Sequence, residues 1–206
     1  GNKAGSGGGV FLVGTTNHTD PPSFTMHGGT ISNNKASTNG CGGVYVANGG
    51  IFTMYDGSIT NNQATRTSGG GGVHVAGSFT MSGGAISGNA AHASSYGGGV
   101  HVAYDGSFTI SGGASITNNT SGGSSCNVYL DNNTVITIGG QLTGGNTIGV
   151  TMDTPDVFTS GWSTYMSDKT PTSYFKSDVS GLDVQISGDE LCLSSGYTVS
   201  FNLGGA

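Results

Sequence analysis

An all-β parallel solenoid is the fold this sequence predicts. Three observations predict it: a repeat close to 28 residues long, period-two alternation inside each repeat, and glycine at 41 of 206 positions. One series runs Phe24-Thr25-Met26, Phe52-Thr53-Met54, Phe79-Thr80-Met81, Phe108-Thr109-Ile110 and Ile136-Thr137-Ile138, at spacings of 28, 27, 29 and 28 residues. A second runs Gly8-Gly9-Val10, Gly42-Gly43-Val44, Gly71-Gly72-Val73 and Gly98-Gly99-Val100, with Cys126-Asn127-Val128 as a degenerate fifth copy. A third is Ile31, Ile59, Ile86, Ile116 and Leu142.

Each repeat holds short alternating patches separated by Gly, Asn or Ser, the pattern of three short strands and three turns. At roughly 3.3 Å per residue such a unit closes into one coil, and coils stack in parallel at about 4.8 Å. Alternation points Phe and Met inward and Thr outward, so Phe24, Phe52, Phe79 and Phe108 should stack in the core. Val44 and Val46, Val73 and Val75, and Val100 and Val102 fall on the inside by the same logic. A single coil buries too few side chains to offset the ordering of its backbone, so it needs neighbours on both sides. An exposed end coil is a sticky edge, which points to end-to-end self-association wherever no cap covers it.

Asn34, Asn62, Asn89 and Asn119 recur three residues after the Ile series. They mark a turn: Asn accepts left-handed backbone, and stacked amides can bond along the rod axis as a structural ladder. From about Gly149 the repeat stops. Trp162, Phe158, Tyr165, Tyr174 and Phe175 follow, with seven of the eleven acidic residues. Residues 149–195 therefore read as a C-terminal cap over the last coil, after 1–148 as repeats. Residues 196–206 read as the start of a further β module or linker.

The repeat text, Gly-Gly-Val-x-Val with Phe-Thr-Met, Gly-Gly-x-Ile-Ser and a turn Asn, resembles the right-handed parallel β-helix of large bacterial surface proteins, within the pectin-lyase-like superfold. The likeness covers about residues 7–148. Gly83-Gly84-Ala85-Ile86 is also similar to the short repeats of chlamydial polymorphic outer-membrane adhesins. Tyr197-Thr198-Val199-Ser200-Phe201-Asn202-Leu203-Gly204-Gly205 resembles the opening strand of a Listeria-Bacteroides (internalin B-type) repeat. These resemblances imply a right-handed parallel β-helix of about five coils with a C-terminal cap. They also imply an extracellular setting, secreted or attached to the cell wall. The abrupt glycine-rich opening at Gly1-Asn2-Lys3 leads to the expectation of a longer parent polypeptide.

Charged residues are 8% of the chain and the net charge is -6, so the dense basic surface that neutralises phosphates is missing and no nucleic-acid partner is expected. No run of about 18 or more apolar residues occurs, so no membrane insertion is expected. Polysaccharide lyases and hydrolases share the superfold, yet they need clustered carboxylates with a base, or paired carboxylates at a set separation. Between positions 41 and 148 the acids are Asp56, Asp105 and Asp131, and the base is Arg66. Asp56 and Asp105 belong to turns two coils apart, so no enzyme activity and no catalytic residue are expected, and no cofactor.

The outward position between the two inward residues of the Val strand reads Phe11, Tyr45, His74, His101 and Tyr129. An exposed stripe of this kind can stack on sugar rings or meet a host protein, and a glycan or protein ligand is the partner class it fits. The competing account is cross-strand pairing, or cover by another segment. His74 and His101 are neighbours without a third ligand, so no metal site is expected. The files Thr25, Thr53, Thr80, Thr109, Thr137 and Ser32, Thr60, Ser87, Thr117, Thr143 also face outward, with variable neighbours. The expected function is a structural and adhesive rod module of a surface protein. A carbohydrate-binding or carbohydrate-active β-helix is the alternative, and an ice-binding solenoid the third. Cys41 and Cys126 stand three coils apart, about 14 Å, beyond disulfide reach; pairing of Cys126 with Cys192 is open.

Overall fold

The computed structural model of the chain describes residues 1–5, 7–14, 20–38, 40–66, 69–92, 96–145 and 147–196. Successive coils stack in parallel into an all-β solenoid of about 6 turns. Three sheets, parallel except for the pairing of Thr120–Ser121 with Ser124–Ser125, enclose its core.

The valine sheet stacks Val10–Leu12, Val44–Val46, Val73–Val75, Val100–Val102, Val128–Leu130, Ile148–Met152 and Phe175–Ser177. The phenylalanine sheet begins with Ser23–Ser32 and Ile51–Thr60, which each carry both the Phe and the Ile patch of a coil in one strand. In the next two coils the same path divides into Ser78–Met81 with Ala85–Ser87, and Ser107–Gly112 with Ser115–Thr117. The Phe and Ile patches thus share one sheet. The third side of the coil is an alanine sheet of two-residue strands just beyond the Asn series: Lys35–Ala36, Gln63–Ala64 and Ala90–Ala91, followed by Thr120–Ser121. Strands so short carry too little alternation to register as a pattern in sequence.

The inward set is as expected. Phe24, Phe52, Phe79 and Phe108 stack with centroids 5.3, 4.7 and 5.1 Å apart, and Val44, Val46, Val73, Val75, Val100 and Val102 are fully buried. Gly-Gly before each Val is a packing requirement. A Cβ on Gly72 would stand 2.6 Å from the carbonyl oxygen of Gly99 in the next coil, so Gly72 admits no side chain.

The coil outlasts the repeat. Ile148–Met152 pairs in register with Val128–Leu130, and Phe175 with Ile148, so residues assigned to the cap add a further turn. Backbone ladders need only inward apolar residues, and Ile148, Val150 and Phe175 supply them. The end itself is covered by the helix Trp162–Met166 and the antiparallel hairpin Asp183–Ser187 with Glu190–Ser194. Phe158, Trp162, Met166, Leu191 and Leu193 are buried there. At the opposite end Val10, Phe24 and Ile31 are only half-buried. The proposed β module from Tyr197 lies outside the described residues.

Candidate functional site

Phe11, Tyr45, His74, His101 and Tyr129 are register partners along the valine sheet, and Tyr129 pairs next with Thr151, where the stripe ends. Buried residues flank Tyr45, His74, His101 and Tyr129 on both sides, and Phe11 lies between half-buried Val10 and buried Leu12, so the rings follow the backbone spacing. Phe11 and Tyr45 stack with centroids 4.9 Å apart, and Tyr45 and His74 at 4.5 Å, both at 20° between planes. His74 and His101 then meet edge to face at 4.7 Å.

Exposure along the stripe is uneven, which corrects the expectation of an open file. Phe11 is 43% exposed and Tyr45 half-buried, whereas His74 and His101 are buried at 7% and 4%. Over His101 the covering group is Tyr96, whose ring lies 4.9 Å from both His101 and Tyr129. The Gly-Gly motif gives no hint of it, because Tyr96 sits in the linker before Gly97-Gly98-Gly99 and does not repeat.

Buried polar rings must find partners, and these do. Asp131 accepts a hydrogen bond from His101 Nε2 at 2.9 Å, and the two His Nδ1 atoms lie 3.0 Å apart. A carboxylate can only accept, so His101 carries a hydrogen on Nε2, and between the two Nδ1 atoms one donates and the other accepts. Burial, reinforced by the neighbouring His101, pushes the His74 pKa down to about 3, with Asp131 opposing. The bond between the Nδ1 atoms uses the lone pair a metal would need. Among the described residues no group of three or more His, Cys, Asp or Glu is placed to hold a metal ion. Tyr129 donates its hydroxyl to Asp153; burial first, and then this carboxylate, raises its pKa. Cys41 is pushed up to about 12 by burial, and all three cysteines are free, Cys192 included.

The Asn series forms a continuous ladder. The backbone N–H and the side-chain amide of Asn34 both donate to Asn62 Oδ1, at 3.0 and 2.9 Å. Asn62 donates in the same way to Asn89 Oδ1, and Asn89 to Asn119 Oδ1. Left-handed backbone is not at these positions but one residue earlier, at Asn33, Asn61, Gly88 and Asn118. The ladder Asn has a buried side chain to satisfy, and the residue before it makes the turn. Two members have no periodic signal in sequence. Asn127, at the place of a motif glycine, accepts from Asn119, and its own N–H and amide donate to Asp178 Oδ2 at 2.7 and 2.9 Å. Asp178, an acceptor on both oxygens, ends the chain of bonds; its Oδ1 takes the Ser125 hydroxyl.

The Thr25 file is in register through Thr137, with Thr25 exposed and the rest half-buried. Asp56 is exposed and accepts from the N–H of Gly57. Compared with known protein families, curated proteins and solved structures, the chain matches none. The class that its own geometry defines is the parallel β-solenoid.

Proposed function

We propose that this chain is a structural and adhesive rod module of a large secreted or cell-wall-associated surface protein, built on a β-helix of the right-handed bacterial type. The observation that carries the reading is the face-to-face stack of Phe11 on Tyr45 and of Tyr45 on His74, at 4.9 and 4.5 Å, on the outside of a rigid sheet. Rings held at the strand spacing form a flat apolar ribbon whose polar atoms lie at its edges, a surface suited to sugar rings or to a partner's aromatic side chains. Backbone ladders and the Asn series fix its position, so little entropy is lost when a ligand docks. With His74 and His101 covered, the contact surface narrows to Phe11, Tyr45 and the rim formed by Tyr96 and Tyr129.

The test is a glycan and mucin array with the purified protein beside the double variant Phe11→Ala, Tyr45→Ala. The reading predicts binding that falls at least about tenfold in the variant, as expected for removal of central aromatic anchors. Absence of wild-type binding across the array would leave a passive spacer and remove the adhesive part.

A further inference from the structure

The corner that joins the valine sheet to the phenylalanine sheet carries features that the repeat does not explain. Its turns are residues 47–50, 76–77, 103–106 and 131–135 in successive coils. The turn at 76–77 is the shortest, so the chain there is recessed between longer neighbours. This leaves a notch of about 280 Å³, lined by Asn48, Ile51, Ser78, Asp105 and Ser107 among others. Two coils further along, the turn 131–135 and the loop at 153–157 line a groove of about 610 Å³. Val135, Met152 and Val157 form its apolar side, and Asp131, Asn132 and Asp156 its polar rim.

Between the two recesses stands the turn that carries Tyr104, exposed at 65%, more than any other aromatic side chain described as exposed. At about 4.8 Å per coil, notch and groove are on the order of 10 Å apart along the axis. An exposed aromatic residue thus sits on the turn between the two recesses. Groove volume falls within the roughly 300–1,000 Å³ of ligand sites, and its lining mixes an apolar wall with a few amide and carboxylate groups.

We propose that this corner binds a linear, uncharged polysaccharide, with Tyr104 as the platform and the notch and groove as flanking subsites. The proposal rests on the adhesive reading and adds a second contact surface to it. Sugar hydroxyls both donate and accept, which suits carboxylates that accept and Asn amides that do both. The C–H face of a pyranose ring suits an exposed phenol. All the ionised groups of the two recesses, Asp105, Asp131 and Asp156, are negative, and neither recess is lined by Lys or Arg. A polyuronate is therefore repelled and a neutral chain is not.

The experiment is affinity electrophoresis of the intact protein through gels containing β-glucan, mannan, xylan or galactan, with polygalacturonate as the charged arm. Wild type should be retarded by at least one neutral polymer and not by polygalacturonate. Tyr104→Ala should weaken that retardation at least about tenfold, and Asn132→Ala with Asp156→Ala should weaken it as well. Tyr104 is an exposed turn residue, and an unchanged circular dichroism spectrum separates loss of binding from loss of fold. The corner is overturned by retention that survives Tyr104→Ala, by equal retention on polygalacturonate, or by no retention on any neutral polymer. If only Phe11→Ala with Tyr45→Ala abolishes binding, the corner fails and the adhesive stripe stands. If no glycan or mucin binds the protein at all, both fail.

Discussion

The repeats and the cap are two solutions to one problem, the open edge of a coil. In the repeats every device is used again one coil later: Phe79 stacks between Phe52 and Phe108, and Asn89 bonds between Asn62 and Asn119. In the cap each device occurs once. Glu190, the only glutamate, accepts from the Thr159 hydroxyl at 2.9 Å and from the N–H groups of Gly161 and Trp162 at 2.7 and 3.1 Å, so one carboxylate ties the hairpin to the start of the helix. Asp178 similarly closes the Asn ladder. The comparison explains Asp178 and Glu190, while Asp153, Asp156, Asp168, Asp183 and Asp189 are exposed. A repeating interior has no place for a charge that only accepts, while a terminus needs groups that stop a pattern.

If the repeats share their stability between neighbours, breaking one in the middle should cost more than loosening the cap. The largest effect is expected for Phe79→Ala, fully buried between two rings, at about 3 to 5 kcal/mol in chemical denaturation. Asn89→Ala comes next. It strands the buried N–H of Asn62, leaves its amide with only the Ile31 carbonyl oxygen, and takes from the Ile59 carbonyl oxygen the amide at 2.9 Å, a loss of about 3 kcal/mol by the same measurement. Glu190→Gln should cost only about 1 to 2 kcal/mol, and limited proteolysis should cut the variant first within 158–194 while the coils stay intact. A separate effect is a dependence on pH. His74 stays neutral in the fold, with its pKa about 3 against an ordinary 6.5, so the unfolded chain takes up the extra proton on acidification. Its contribution is fully present above about pH 6.5 and is lost as pH falls toward 3. Stability measured at pH 7.5 and 4.5 should fall less in His74→Phe than in wild type.

The period, the Phe core, the Val core and the Asn series were legible because each recurs at a fixed spacing, and recurrence is what a sequence displays without structure. Tyr96 over His101, Asn127 in a glycine's place and Asp178 at the end of the ladder each occur once, so no period points to them. The alanine strands were missed for a different reason: two residues cannot show alternation. His74 and His101 were assigned outward correctly from the pleat. His101 is covered by Tyr96, an aromatic residue that belongs to a single coil.

The most direct test of a continuous axial ladder is amide hydrogen exchange, resolved by NMR, at Asn34, Asn62, Asn89, Asn119 and Asn127 in wild type and in Asp178→Ala. The account predicts strong protection at Asn62, Asn89 and Asn119 in both proteins, with exchange at Asn127 accelerated in the variant and the effect fading coil by coil away from that end. Rapid exchange at the central Asn amides of the wild-type protein, or an unchanged Asn127 when Asp178 is removed, would contradict it.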